Sequence, residues 1–259
     1  MTVTWRAGGQ LTANPLRLAF SGGLWRSARY LLVYVFGTGW VLFSAAFTVV
    51  TTAVVFAVTL AGIPLLSAAA GVLRGCAAVE RGRLRDVFAE PVRGRYRPVP
   101  PRGMLAQAGA RWKDPATWRA LTYLVALWAP LFALDTAVLT VWLTFLAGVT
   151  IPLWYWAPVQ ISPIGYTNGA PVHGIAYGYF PHGPYGPGAW GYFVDSLPKA
   201  LLAALVFLIL FLLFSYVVVL TARAHGRVAR ALLRAPADPL AAARDVLVRP
   251  GPLPPLNTS

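Results

Sequence analysis

The chain has 259 residues, of which 58% are hydrophobic and only 12% are charged, about half the charged share of an average soluble domain. This composition excludes an ordinary soluble enzyme. One cysteine and three histidines are too few for a disulfide framework or a Cys/His zinc cluster, so we expect neither a metal nor any other cofactor.

The first apolar stretch, residues 31–73, contains 43 residues without a charged side chain, whereas one membrane-spanning helix needs about 20. It predicts two spans, at 28–48 and 52–73, joined by a turn at the threonines of residues 48–52. Pro64 falls inside the second span and is a candidate hinge, a static bend being the alternative. The leader, residues 1–27, is either a short interfacial helix or an unstructured tail.

A third apolar stretch covers residues 120–156 and a fourth covers 201–222. The third is longer than one span requires, so either its start (120–130) or its end (143–156) lies along an interface. Asp135 is the only ionisable residue inside a predicted span, where a carboxylate costs about 3 kcal/mol. It is therefore a candidate intramembrane polar site. It could be protonated, pair with a polar group such as Thr or Ser of another span, or lie near an interface.

The basic residues predict the orientation, because Lys and Arg concentrate in cytoplasmic loops. The leader, the segment between spans two and three, and the tail together hold 21 of the 22 basic residues, and Lys199 alone lies on the other side. Both termini and the central segment are therefore predicted to be cytoplasmic, in a multi-pass protein of the cell membrane. The net charge of +14 then follows from topology and needs no nucleic-acid partner.

Two correspondences suggest an internal repeat. Residues 25–31 resemble 118–124 at an offset of 93, and each copy opens a span. Arginines also recur at helical spacing after spans two and four, at an offset of 149. These arginine stripes are Arg74, Arg81 and Arg85 in the first copy, and Arg223, Arg227, Arg230 and Arg234 in the second.

The predicted fold is an all-α membrane protein with four transmembrane helices, arranged as two repeated helical hairpins with cytoplasmic helical extensions. Its parts are the leader (1–27), the first hairpin (28–73), a basic cytoplasmic segment (74–119), the second hairpin (120–222) including an outer loop (157–198), and a basic helix with a Pro-rich tail (223–259). The stripes could couple span movement to the cytoplasm or merely anchor helix ends to lipid head groups. His225, inside the second stripe, is expected only to cap a helix or to face head groups.

The outer loop, residues 157–198, holds seven Pro, eight Gly and eight aromatic residues and one charge. Long loops of this kind are commonly functional, and the aromatic residues would suit docking on lipid, glycan or protein. The alternative is an ordinary interfacial belt of Tyr and Trp. The candidate signal or ligand surface comprises Tyr166, His173, Tyr177, Tyr179, His182, Tyr185 and Trp190.

No nucleotide-binding loop, metalloprotease motif or hydrolase motif is present, so we expect no enzymatic activity. Four segments resemble a family of sensor domains, which form the N-terminal membrane module of many actinobacterial sensor histidine kinases and also occur free-standing. The matching segments are 62–66 with the Arg-rich helix that follows, 114–119, 152–156 and 192–198. The resemblance covers roughly residues 20–235 and implies a role in two-component signalling.

The chain departs from the kinase-linked members because no dimerisation, phosphoacceptor or ATP-binding segment follows span four, so any output is expected from another chain. The first hypothesis is a sensory or regulatory module that passes an envelope or membrane signal to a partner. An accessory or scaffold subunit of a transporter or envelope complex is the alternative, and a small transporter using Asp135 is the third. Expected partners are the bilayer and a histidine kinase, regulator or permease, and a homodimer is possible.

Overall fold

The structure is a computed structural model that describes residues 5, 14–57, 62–94, 96, 103–156, 166–167, 170–171, 174–183 and 185–235, with only the backbone of 166–167 and 170–171. The helices are α1 (Pro15–Ala19), α2 (Gly22–Val33), α3 (Gly39–Val55), α4 (Gly62–Arg83), α5 (Met104–Trp112), α6 (Pro115–Leu121), α7 (Trp128–Val149), α8 (Ile151–Trp154) and α9 (Leu197–Leu233). π-Helical segments follow α2 (Tyr34–Thr38) and α6 (Thr122–Ala126), and a 3₁₀ turn (Leu84–Asp86) follows α4.

Four helical stretches are long and apolar enough to cross a membrane, which confirms the predicted number of spans and the mostly helical fold. The second and fourth stretches extend more than ten residues beyond the predicted ends at 73 and 222, because each helix continues into its charged flank. The repeat itself stays a prediction. The four stretches are Gly22–Val55, Gly62–Asp86, Trp128–Val149 and Leu197–Leu233.

The first two spans differ from the sequence prediction in their connection. The first helix runs through Thr48 and Thr52 and ends at Val55, so the predicted turn at 48–52 is wrong. The reason is that residues 48–55 contain neither Gly nor Pro, and threonine alone does not break an apolar helix. Pro64 is the third residue of α4, in the first turn, where a proline removes no helical hydrogen bond. It therefore does not kink the span.

The bundle is held together by packing of α9 against α7 and α2, and of α3 against α4. Trp142 of α7 is buried, stacks on Phe211 at 5.3 Å between ring centroids, and donates a hydrogen bond from Nε1 to the Ser215 hydroxyl (3.1 Å). Gly148 permits a close approach of the two helices, since a Cβ there would lie 2.3 Å from the Phe207 ring.

The segment before span three folds back on α4. Trp112 donates from its indole nitrogen to the carbonyl of Leu66 (2.8 Å), and Arg111 donates to the carbonyl of Ser67 (2.9 Å). Asp114 then caps α6 by accepting from the amide of Ala116 (3.0 Å). The last part of the basic segment, residues 111–114, is thus fixed alongside the second span.

Part of the outer loop forms β-structure. Strands β1 (Tyr166–Thr167) and β2 (Ala170–Pro171) pair with each other, and β3 (Ile175–Tyr179) pairs antiparallel with β4 (Trp190–Val194). Gly178 and Gly191 face each other across β3 and β4 at φ +139° and +147°. A Cβ on either would lie 2.2 Å from a carbonyl oxygen of the opposite strand, so the close pairing needs glycine at both positions.

Candidate functional site

A buried polar cluster joins all four spans at the end of the bundle that carries both arginine stripes, which we call the basic end. Its six members come from α2, α4, the π-helical segment before α7, α7 and α9. They are Tyr30, Glu80, Arg83, Tyr123, Asp135 and His225.

The centre of the cluster is the contact between α7 and α9. Asp135 Oδ2 lies 2.6 Å from His225 Nδ1, and neither side chain is exposed at all. His225 is three residues beyond the apolar run 201–222, so this pair lies near the basic edge of the spans. The rings of Tyr30 and Tyr34 meet the imidazole edge-on, at centroid distances of 5.3 and 4.6 Å. The pair is therefore closed off by aromatic side chains.

Two tyrosines connect this pair to α4. The hydroxyl of Tyr123 lies 2.9 Å from His225 Nε2 and also 2.9 Å from Glu80 Oε1. Tyr30 donates to the same Glu80 oxygen over 3.2 Å. An unbroken hydrogen-bond chain thus runs from Asp135 to Glu80.

Arg83 neutralises the buried carboxylate of Glu80. The two side chains form an ion pair one helical turn apart, with 10% of the arginine and none of the glutamate side chain exposed. Arg83 also donates to the carbonyl of Tyr30 (2.7 Å) and lies 4.6 Å from the centroid of its ring. Because a buried charge without a partner is costly, these contacts stabilise the packing of α2 against α4.

Two members of the cluster, Asp135 and His225, were already considered from the sequence. Asp135 does lie within a candidate span and pairs with another one, although its partner is a histidine rather than Thr or Ser. His225 neither caps a helix nor faces head groups: it is buried and belongs to the core. The candidate span within the third apolar run is Trp128–Val149, so surplus residues of the run lie at both of its ends, 120–127 and 150–156.

Sequence reasoning did not identify Tyr30, Glu80, Arg83 or Tyr123. One signal could have found the tyrosines, since Tyr30 and Tyr123 occupy the same position in the repeated segments 25–31 and 118–124. No local pattern marks Glu80 and Arg83, which lie among the arginines of a basic helix.

The first arginine stripe binds the segment that follows α4. Arg74 pairs with Asp114 over 3.1 Å, and Arg81 donates to the hydroxyl of Tyr96 (3.0 Å). Arg74 also lies 4.6 Å from the centroid of the Tyr96 ring. Arg85 is exposed.

The second stripe is partly covered by aromatic residues from elsewhere in the chain. Arg223 and Arg227 lie 5.3 and 5.0 Å from the centroid of the Trp5 ring, and Arg230 lies 4.9 Å from that of Phe88. Along α9 the exposed residues of this end recur at helical spacing and form one face. This α9 face consists of Ala224, Arg227, Ala231 and Arg234.

The candidate signal residues of the outer loop do not form one surface in the described part of the chain. Tyr179 and Trp190 are highly exposed, at 68% and 78%. Tyr177 contacts Phe207 of α9 at 5.6 Å between centroids, and His182 has its Nδ1 3.2 Å from the carbonyl oxygen of Pro187. Tyr185 donates to the carboxylate of Asp195. Tyr166 belongs to β1, and His173 lies outside the described residues.

An apolar groove of about 460 Å³ separates the β3–β4 hairpin from the start of α9. Its size is that of a small-molecule site, and its lining offers no charge. The lining residues are Tyr177, Tyr192, Leu202, Ala203, Val206 and Phe207. The groove is the place where the outer loop and span four share one surface.

An ionic contact fastens the hairpin to α9 beside this groove. Lys199 Nζ lies 3.0 Å from Asp195, and Tyr192 donates to the carbonyl of Lys199 (3.0 Å). Burial alone would raise the pKa of the Asp195 carboxyl, but hydrogen bonds from Tyr185, Lys199 and Ser196 and the charge of Lys199 outweigh it and lower the pKa. The carboxylate is therefore ionised at neutral pH.

Comparison with known proteins adds a family. A family model described as "Putative sensor" matches residues 23–233, which include all six residues of the buried polar cluster. No curated protein and no solved structure matches the chain. Among the residues that the structure describes, no three His, Cys, Asp or Glu side chains come together in a way that could hold a metal ion.

Proposed function

The chain belongs to the "Putative sensor" family, and we propose that it is an integral membrane module that receives an envelope or membrane signal and passes it to a separate partner protein. In this proposal the protein lies in the cell membrane with both termini in the cytoplasm, as the distribution of basic residues favours. The chain itself neither catalyses a reaction nor binds nucleic acid.

The observation that carries the proposal is the continuity of α9. This helix has 37 residues and no break, so it is about 55 Å long and exceeds the hydrocarbon thickness of a bilayer. One end contacts the β3–β4 hairpin, and the other carries the second arginine stripe. A continuous helix can transmit a tilt or rotation from one side of the membrane to the other.

The contact between the β3–β4 hairpin and α9 is suited to receive the signal. Tyr177 and Tyr192 of the hairpin line the apolar groove together with two consecutive turns of α9. A molecule that entered the groove or displaced the hairpin would act on α9 directly. The exposed Tyr179 and Trp190 extend the same hairpin outward.

The α9 face is suited to pass the signal to a partner. The α9 face presents Arg227 and Arg234 beside two alanines, a surface that a protein with complementary acidic residues could cover. The proposed partner is a histidine kinase or another regulator, and a second copy of the chain is a further candidate. An accessory role in a transporter or envelope complex is the alternative, with a permease as the partner.

The test uses charge reversal on the second stripe. A strain carrying Arg227→Glu with Arg230→Glu is compared with a deletion strain and with the wild type by transcript profiling. The proposal predicts that the double variant reproduces the profile of the deletion, although membrane extracts contain the protein at the wild-type level.

The matched control is Arg17→Glu with Arg26→Glu, two exposed arginines near the start of the chain that change the net charge equally. This control is expected to keep the wild-type profile. A double variant in the second stripe that also keeps the wild-type profile would refute signalling through α9.

A further inference from the structure

We propose that the buried polar cluster is a proton-binding site, whose bound proton joins α9 and α7 to α4. This inference goes beyond the proposed function, because it concerns what the cluster binds. It does not depend on the existence of a partner protein. It rests on counting the hydrogens that the contacts require.

Glu80 sets the direction of two hydrogen bonds. Its carboxylate is paired with Arg83 and is therefore ionised, and an ionised carboxylate only accepts hydrogen bonds. Tyr30 and Tyr123 must both donate to it. Because the phenol of Tyr123 has a single hydrogen, it can only accept from His225, whose Nε2 lies 2.9 Å away.

His225 Nε2 must then carry a hydrogen. The 2.6 Å contact between Nδ1 and Asp135 Oδ2 holds a second one, which resides on either atom. With two hydrogens the pair of Asp135 and His225 is electrically neutral, and so is the pair of Glu80 and Arg83. A neutral cluster is the arrangement that a site without exposure favours.

Removal of one proton disturbs both the neutrality of the cluster and its hydrogen-bond pattern. The pair of Asp135 and His225 becomes negative, and Tyr123 must turn its hydrogen towards Nε2. Its oxygen then faces Glu80 Oε1 across 2.9 Å with no hydrogen between them, which is repulsive. The link between α4 and α9 therefore breaks when the proton leaves.

Within the part of the chain that the structure describes, the titratable groups that face His225 come from the first span, from α7 and from the segment before α7. Asp135 faces it from α7, Tyr123 from the π-helical segment before α7, and Tyr30 and Tyr34 from the first span. From α4, Glu80 and Arg83 are one hydrogen bond further away and are paired with each other. Asp86, in the 3₁₀ turn that also packs on α9, is paired with Arg29.

A second observation supports a protonated site. Asp135 Oδ1 is buried and has no hydrogen-bond partner within the part of the chain that the structure describes. An unpartnered oxygen is far less costly on a neutral carboxylic acid than on a carboxylate. The orphan oxygen thus favours a proton that is shared by, or located on, Asp135.

The experiment observes the imidazole of His225 by ¹⁵N NMR in purified protein in lipid nanodiscs, with His173→Gln and His182→Gln to leave one histidine. We expect a protonated Nε2 at neutral pH and a single loss of a proton as the pH rises. Tyr123→Phe removes the acceptor of that hydrogen, so the transition should move to lower pH. An Nε2 that is unprotonated from about pH 5 to pH 9 would overturn the proposal.

A second measurement tests the mechanical consequence. The protection factor for amide hydrogen exchange, the ratio of the intrinsic to the observed rate, should fall roughly tenfold for residues 223–233 across the same transition. It should lose this pH dependence in His225→Asn. His182→Asn, on the exposed hairpin, is the control and should behave as the wild type. A protection factor that does not change across the transition would show that the proton does not join the helices. Neither readout needs a partner protein, so failure of the signalling proposal leaves both results interpretable.

Discussion

Tyr30 and Tyr123, 93 residues apart in the chain, donate hydrogen bonds to the same oxygen of Glu80, over 3.2 and 2.9 Å. The two tyrosines begin the first and third spans, and Glu80 is near the end of the second. Through Tyr123 the fourth span joins them at His225. One carboxylate oxygen is therefore the point at which the helices of the basic end meet.

This convergence predicts that Glu80→Gln is strongly destabilising. The amide can still accept hydrogen bonds, but Arg83 loses its counterion while only 10% of its side chain is exposed. Removing one partner of a buried ion pair costs about 3–5 kcal/mol. Denaturant unfolding in detergent micelles measures the loss.

Glu90 provides the matched control for that variant. Its side chain is 68% exposed and lies 3.9 Å from Arg230, so Glu90→Gln should change the unfolding free energy by less than about 1 kcal/mol. Equal effects of the two substitutions would mean that the charge of Glu80 is not needed.

A glycine pair tests the packing of α7 on α9. Gly148→Ala would place a Cβ 2.3 Å from Cγ of Phe207, an atom that cannot move far without disturbing α9. We expect a loss of about 1–3 kcal/mol in the same unfolding experiment. Gly75→Ala, where a Cβ meets nothing within 4 Å, should be neutral or stabilising because alanine favours helix. A tolerated Gly148→Ala would contradict the close approach.

Acid should release the hairpin from α9. The pKa of Asp195 is lowered in the fold, so its contribution to stability is present above the ordinary aspartate pKa of about 4 and is lost as the pH falls through the lowered value. Amide exchange of residues 190–194 is compared in the wild type and Asp195→Asn. The variant should exchange faster at neutral pH and equally at about pH 2. A difference of the same size at both pH values would refute the ionic contact.

The sequence was sufficient for the number of spans because apolar length is a local property, but not for the bounds of the first two. Asp135 was found for the same reason, as the only charge in a long apolar run. The cluster around it was not found, since its members come from five separate segments and become neighbours only after the helices pack. His225 was misplaced because it lies among arginines spaced along one helix, a pattern that favours head groups, whereas its own position faces the core.

The contacts of the outer loop were likewise not predictable from local sequence. Its composition indicated an aromatic surface, and Tyr179 and Trp190 are indeed exposed. The pairing of β3 with β4 depends on Gly178 meeting Gly191, a long-range match that the alternation of Gly and aromatic residues does not reveal. The groove beside α9 likewise depends on where the hairpin docks.

The central claim is that the α9 face passes a signal to a partner, and photo-crosslinking tests it most directly. A photoreactive residue is placed at the exposed Ala231, with Leu205, which is exposed in the apolar part of α9, as the control site. After irradiation of intact membranes, the crosslinked proteins are identified by mass spectrometry. The account predicts a histidine kinase or another regulator at Ala231, absent from Leu205 and lost in Arg227→Glu with Arg230→Glu. A permease or an envelope-synthesis complex at Ala231, or no protein at all, would contradict it.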